Sequence, residues 1–132
     1  MSKQNVERVK LGYEAFARGD LDYLIAMMDP EIEAHNPPEV PEASVHYGPA
    51  AVRRDWEQTW ELFDEFTVEP EEFLEAGDDV IVFAQYRGRA RGSGADIEAA
   101  VAQVFTFRDG KVILFRQFLD RAQALKAAGL PE

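Results

Sequence analysis

The last third of the chain, residues 86–130, constrains the fold most, because extended segments alternate there with tight turns. A glycine-rich turn at residues 91–94 and a second turn at residues 108–111 separate three segments in which apolar side chains recur at every second position. This spacing is typical of β-strands joined by hairpins. A short helix is predicted from Asp120, and helical blocks precede the region. We therefore predict an α+β fold in which a curved, mostly antiparallel sheet wraps over helices.

Three N-terminal helices are predicted, because apolar residues recur at steps of three and four and so share one helical face. Gly19 ends the first helix, and Asp20 is a potential N-cap of the second. The third begins after Gly48 with Pro49, since proline suits the first helical position. With the sheet wrapped over these helices, we predict a cone-shaped domain with an internal cavity. The apolar stripes are Val6, Val9, Tyr13 and Phe16; Leu21, Leu24, Ile25 and Met28; and Val52, Trp56, Trp60 and Phe63.

Prolines delimit the other predicted elements. Pro30 closes the second helical block, and a short strand follows over residues 32–36. Phe66 and Val68 begin a later strand that contains Pro70, which cannot donate a hydrogen bond to a neighbouring strand. That strand is therefore predicted to lie at a sheet edge or to be bulged at Pro70. A loop after the short strand is predicted from Pro37, Pro38 and Pro41.

Both faces of the C-terminal strands are largely apolar, which indicates that both are covered. The helices can cover one face. We predict that a second copy of the chain covers the other, so that the protein is a homodimer through the outer face of its sheet. The residues expected in that interface are Ala100, Ala102, Val104 and Thr106.

Length and charge narrow the range of functions. The chain has 132 residues and shows no linker or internal repeat, so we predict one domain over residues 1–132. A net charge of −11 argues against nucleic acid and anionic membranes as partners. The absence of cysteine excludes disulfides and thiol nucleophiles. Residues 1–10 have no apolar core of a signal peptide, and we expect a cytoplasmic protein.

Four local patterns stand out along the chain: Gly19-Asp20-Leu21, the strand that ends in Asn36-Pro37, residues 105–112, and residues 120–130. Together with the order of elements, these patterns resemble the nuclear transport factor 2-like superfamily. Within it, the chain is most similar to SnoaL-like and ketosteroid-isomerase-like proteins. The resemblance covers nearly the whole chain and implies a pocket for a small molecule.

The resemblance to ketosteroid isomerases implies three functional positions, and this chain differs at each. The general-base position falls on Asn36, whose amide cannot take up a proton at neutral pH. The oxyanion tyrosine position falls on Gly12, beside Tyr13, and the oxyanion aspartate position falls on Gln103. We therefore do not expect steroid isomerisation by that mechanism.

The resemblance to SnoaL-type polyketide cyclases implies an aspartate general base near the end of the last strand, followed by a helix that ends in glycine. Asp120, Leu125 and Gly129 fit this pattern, which makes Asp120 the best catalytic candidate. The alternative is that Asp120 only caps the helix that follows. Epoxide hydrolases of this fold carry an Arg-x-Asp strand, whereas Arg87-Gly88-Arg89 offers no such carboxylate.

The predicted ligand pocket combines aromatic and amide side chains. Asn36 and Gln103 are polar residues on apolar strand faces, where an amide either orients a ligand or bonds to neighbouring backbone. The residues expected to line the pocket are Tyr13, Phe16, Asn36, Tyr47, Trp56, Trp60, Gln103, Phe105 and Gln117.

The two histidines, His35 and His46, do not have the spacing of a metal site. A metal would require both of them with carboxylates such as Glu33 or Glu42, so we expect no metal or other cofactor. His46 lies just before the third helix, where it either touches a ligand or packs the loop.

Two classes of function remain open. The first is a protein that binds a small hydrophobic or carbonyl-bearing molecule without assigned catalysis. The second is a cofactor-free enzyme of the polyketide cyclase, isomerase or dehydratase type. In that enzyme Asp120 would be the base, and Gln103 or Tyr47 would orient a carbonyl group.

Overall fold

The computed structural model describes residues 2–37 and 45–131, in four helices and six strands. None of these described helices is long and apolar enough to cross a membrane. Pro38, Pro41 and Glu42 lie outside the described residues. The helices are α1 (Ser2–Ala17), α2 (Leu21–Ala26), α3 (Pro49–Glu61) and α4 (Arg121–Ala127). The strands are β1 (Met28–His35), β2 (Val45–Tyr47), β3 (Phe63–Ala76), β4 (Asp79–Ala90), β5 (Asp96–Arg108) and β6 (Lys111–Phe118).

The six strands form one curved, open sheet in the order β2-β1-β6-β5-β4-β3. All neighbours run antiparallel except β1 and β6, which are parallel. The main core lies between the inner face of this sheet and the N-terminal helices, and it includes Val9 of α1, Val52 of α3 and Val82 of β4. The predicted α+β fold with a curved, mostly antiparallel sheet is confirmed.

Strand β3 lies at the edge of the sheet, as Pro70 predicted. Its pairing with β4 also shifts register between Pro70 and Glu72, so the strand is both an edge strand and bulged. The bulge follows from chemistry, because a proline has no N–H to donate to a ladder.

Two of the predicted helical stripes extend two residues beyond the end of their helix. Met28 is not helical, because it pairs with Val112 of β6 and begins β1. Phe63 is likewise not in α3, because it pairs with Ala90 and begins β3. The prediction that Pro30 closes the second helical block is also wrong, since α2 ends at Ala26 and Pro30 lies within β1. Strand pairing therefore overrides the helical spacing after the C-terminal ends of α2 and α3.

The outer face of the sheet is covered in part by the chain itself. Ala124 of α4 is fully buried against a cluster that includes Ala102 and Val104, which are 2% and 0% exposed. The interpretation that a second copy covers these two residues is therefore wrong, because α4 already excludes water from them. Ala100 is exposed on β5, and the homodimer itself stays a prediction.

Candidate functional site

A pocket of about 670 Å³ lies between the first three helices and the inner face of the sheet. Residues of α1, α2, α3 and of all six strands line it, and most of the lining is apolar. This volume is within the usual range for a site that holds a drug-sized molecule. Its aromatic lining residues are Tyr13, Phe16, Trp56, Trp60, Phe66, Tyr86, Phe105 and Phe115.

The aromatic wall of the pocket follows from helical spacing. Trp56 and Trp60 are four residues apart in α3 and so share one face of the helix. Phe16 of α1 packs against both, with ring centroids 6.1 Å from Trp56 and 5.0 Å from Trp60. Ring pairs at such distances each contribute about 0.5–1.5 kcal/mol beyond their buried area. The wall is therefore held in place before any ligand arrives.

Four polar side chains form a hydrogen-bonded group among these apolar walls, here named the amide–phenol network. Gln103 of β5 lies directly opposite Gln117 of β6, and its Nε2 donates to Gln117 Oε1 at 3.1 Å. Gln103 Nε2 also donates to the Tyr86 hydroxyl oxygen at 2.9 Å, and Gln103 Oε1 accepts from the Tyr13 hydroxyl. The Tyr86 hydroxyl in turn donates to Gln117 Oε1. The network therefore connects α1 to three strands of the sheet.

The network uses every polar atom of the Gln103 side chain but leaves the amide nitrogen of Gln117 available as a donor. Both hydrogens of the Gln103 amide nitrogen and its oxygen are used, so this residue holds its neighbours in place. Gln117 uses only its oxygen, and its Nε2 makes no hydrogen bond to any residue that the structure describes. Gln117 lines the pocket, so its amide N–H groups can be offered to a ligand.

The two phenols of the network are held in their neutral form. Burial raises the pKa of Tyr13 well above its ordinary value, and the neighbouring Tyr86 raises it further. Burial is also the main reason that the pKa of Tyr86 is raised. The hydrogen bond from Gln103 opposes that rise, and the charge of Asp55 adds to it. Neither phenol can act as a base near neutral pH, and both remain hydrogen-bond donors.

A histidine and an aspartate also line the pocket, and they form the His46–Asp55 pair. His46 lies in β2 and Asp55 in α3, with His46 Nε2 at 3.5 Å from Asp55 Oδ1. Their side chains are 24% and 25% exposed. The separation exceeds that of an ordinary hydrogen bond, and Nε2 is buried without a hydrogen-bond partner among the described residues.

Asp55 is one of several lining residues that the sequence analysis missed, and Tyr86 of the network is another. Asp55 immediately precedes Trp56 in α3, beside the apolar stripe rather than on it. Gln58 and Thr59 line the pocket from the same helix, so the pocket face of α3 is wider than the stripe. The polar residues that flank the two tryptophans in the sequence were the signal that could have identified Asp55.

Most of the residues predicted for the pocket are brought together along its wall, whereas two are not. Tyr47 is 69% exposed and does not line the pocket. Asp120 is exposed too, and its Oδ1 accepts a hydrogen bond from the backbone N–H of Ala122 at 2.8 Å, as the N-cap of α4. The predicted residues that do line the pocket are Tyr13, Phe16, Asn36, Trp56, Trp60, Gln103, Phe105 and Gln117.

The histidines belong to separate pairs. His35 Nε2 lies 3.5 Å from Glu33 Oε1, whereas His46 faces Asp55. Within residues 2–37 and 45–131, no three histidine, aspartate or glutamate side chains come together as metal ligands would.

Comparison with known proteins gives a consistent family and fold. The SnoaL-like domain family matches residues 9–115, while no curated protein matches the chain in sequence. A nuclear transport factor 2-like protein of unknown function from Burkholderia pseudomallei superposes with a TM-score of 0.81 at 25% identity, over 96% of this chain and 97% of that one.

Two further solved structures share the fold. A candidate SnoaL-like polyketide cyclase from Jannaschia sp. superposes with a TM-score of 0.81 at 24% identity, covering 100% of this chain and 96% of that one. A protein of ketosteroid-isomerase-like fold from Catenulispora acidiphila, in complex with trimethylamine, superposes with a TM-score of 0.76 at 17% identity. The coverage is 95% of this chain and 94% of that one.

Proposed function

The chain belongs to the SnoaL-like domain family, and we propose that its pocket binds a neutral, largely hydrophobic small molecule that carries a carbonyl group. The observation that carries this proposal is the amide–phenol network, which presents the Gln117 amide nitrogen to a largely apolar pocket. A carbonyl oxygen is the natural acceptor for a free amide N–H.

The charges around the pocket favour a neutral ligand over an anion. No lysine or arginine is among the described lining residues, so neither could pair with a bound carboxylate or phosphate. Asp55 would repel it in addition. The aromatic wall favours a flat or cyclic ligand, because ring faces and edges pack best against other rings.

The comparisons are consistent with a small-molecule site. The Catenulispora acidiphila protein was solved in complex with trimethylamine, and the Jannaschia protein is described as a candidate polyketide cyclase. These descriptions apply to the two other proteins. For this chain they support the binding of a small molecule in the pocket but do not identify that molecule.

A second candidate function is cofactor-free catalysis of the polyketide cyclase, isomerase or dehydratase type. The observation that favours it is the carboxylate of Asp55, which lines the pocket. Asp120, the base that the resemblance implied, is exposed and caps α4 instead.

Tryptophan fluorescence tests the binding proposal directly, because Trp56 and Trp60 are the only tryptophans in the chain and both line the pocket. The probes are 2-tetralone, a bicyclic ketone, and tetralin, the same ring system without the carbonyl group. We expect 2-tetralone to change the fluorescence at lower concentration than tetralin, by about 2- to 10-fold for one added hydrogen bond.

The matched variant is Gln117→Leu, which replaces the free amide with an apolar side chain of similar size. We expect it to bind the two probes equally, while Gln58→Leu, on the helical side of the pocket, retains the preference for the ketone. Equal binding of both probes to the unaltered protein, or no binding of either, would contradict the proposal.

A further inference from the structure

We propose that the His46–Asp55 pair is a proton-transfer site, in which the Asp55 carboxylate removes a proton from the carbon next to the carbonyl group of the bound ligand. This inference rests on the proposed carbonyl ligand and adds a reaction to it. It moves the base to the third helix, away from the two places where the family resemblance put it, Asn36 and Asp120.

The choice of Asp55 follows from position. It is the one carboxylate among the described lining residues, and it stands beside Trp56 in the aromatic wall. Its side chain is only 25% exposed and lies among apolar side chains, so little water separates the carboxylate from a bound ligand. No lysine or arginine forms an ion pair with Asp55 within the described part of the chain.

His46 is assigned as a positioning residue. Its buried Nε2 makes no hydrogen bond to a described residue and lies 3.5 Å from Asp55 Oδ1. A structural histidine in a protein interior normally has its ring nitrogens satisfied. An imidazole held next to a carboxylate without that constraint can move into hydrogen-bond distance and then orient the carboxylate.

The base and the donor face the same space. The charge of Asp55 contributes to the raised pKa of Tyr86, so the carboxylate lies within electrostatic reach of that phenol. Tyr86 donates its hydrogen bond to Gln117, whose amide nitrogen is free. A ketone whose oxygen bonds to Gln117 Nε2 therefore has a carboxylate available on the α3 side of the same pocket.

The proposed step balances without a cofactor or co-reactant. The C–H bond next to the carbonyl breaks, and its proton passes to an oxygen of Asp55. Its electron pair forms the C=C bond of an enolate, and the π electrons of the C=O bond move to the oxygen, where Gln117 Nε2 donates a hydrogen bond. The Asp55 carboxylic acid then returns a proton to the same carbon or to another carbon of the enolate.

Deuterium exchange gives the direct test. NMR of 2-tetralone in D₂O follows the replacement of its α-hydrogens, and tryptophan fluorescence measures its binding to the same protein samples. We expect the unaltered protein to accelerate exchange above buffer. Asp55→Asn, which keeps the shape and removes the base, should lower that acceleration by about 100-fold or more while binding changes little.

Asp79→Asn is the control for Asp55→Asn. Asp79 is a comparably covered aspartate, 17% exposed and paired with Arg116, that does not line the pocket. We expect this variant to exchange 2-tetralone at the rate of the unaltered protein.

His46→Gln separates positioning from simple packing. We expect the exchange rate at saturating ketone to fall and the half-saturating concentration to stay unchanged.

The outcomes separate the two proposals. If the unaltered protein does not bind 2-tetralone, the proposed function and this inference both fail. If it binds the ketone without accelerating exchange, or if Asp55→Asn exchanges as fast as the unaltered protein, the inference is overturned and the binding function stands.

Discussion

Gln103 shows how one side chain can hold a site in place through hydrogen bonds within the protein. The sequence left two uses open for this amide, orienting a ligand or bonding within the protein. The structure gives it three hydrogen-bond partners on α1, β4 and β6. Its position on an apolar strand face was predictable from alternation, but the partners were not, because they come from segments distant in sequence.

We expect Gln103→Leu to lower the free energy of unfolding by about 1–3 kcal/mol, because it leaves the buried hydroxyl of Tyr13 without its acceptor. Urea unfolding measures the change. Gln85→Leu is the control, since Gln85 lies on the other face of β4 and should change stability little. Equal stability of Gln103→Leu and the unaltered protein would show that the network contributes nothing to the fold.

The buried phenols predict a fall in stability at alkaline pH. The pKa values of Tyr13 and Tyr86 are raised in the folded state, so above about pH 10 the unfolded chain loses protons that the folded chain keeps. The free energy of unfolding should therefore decrease as pH rises past 10. Tyr86→Phe should have a shallower decrease, whereas Tyr47→Phe, at an exposed site, should keep the slope of the unaltered protein.

At the scale of elements, periodicity predicted the helices and strands well but did not predict their ends. The residues beyond α2 and α3 continue each helical spacing, yet they form strands because β6 and β4 offer hydrogen-bond partners. Pro70 was informative because its missing N–H is a local property. Asp55 was not found, because one carboxylate beside an apolar stripe leaves no periodic signal.

Substitutions at Asp120, the N-cap of helix α4, distinguish a capping role of this residue from a catalytic one. Asp120→Ala should cost about 1 kcal/mol, because the backbone N–H of Ala122 loses its acceptor. Asparagine caps helices nearly as well as aspartate, so Asp120→Asn should retain both stability and ketone exchange. Thermal unfolding and the D₂O assay measure the two effects. Loss of exchange in a stable Asp120→Asn protein would instead restore Asp120 as the base.

At the scale of the whole molecule, the fourth helix changes the argument for a dimer. The apolar outer face suggested a partner chain, but α4 folds back on it and buries Ala102 and Val104 within one chain. The helix ends at Ala127, shortly before Gly129, which takes a φ of 76°. What remains exposed on β5 is the segment that holds Ile97 and Ala100. A homodimer through the sheet would therefore use this end of β5.

The dimer prediction can now be tested at one residue. We expect the protein to sediment as a dimer at micromolar concentration, and Ala100→Arg to sediment as a monomer, because a buried guanidinium without a partner is costly. Leu11→Arg is the control, since Leu11 is 45% exposed on α1, which packs on the inner side of the sheet. A monomer in the unaltered protein would contradict the dimer, and a dimer unaffected by Ala100→Arg would place the interface elsewhere.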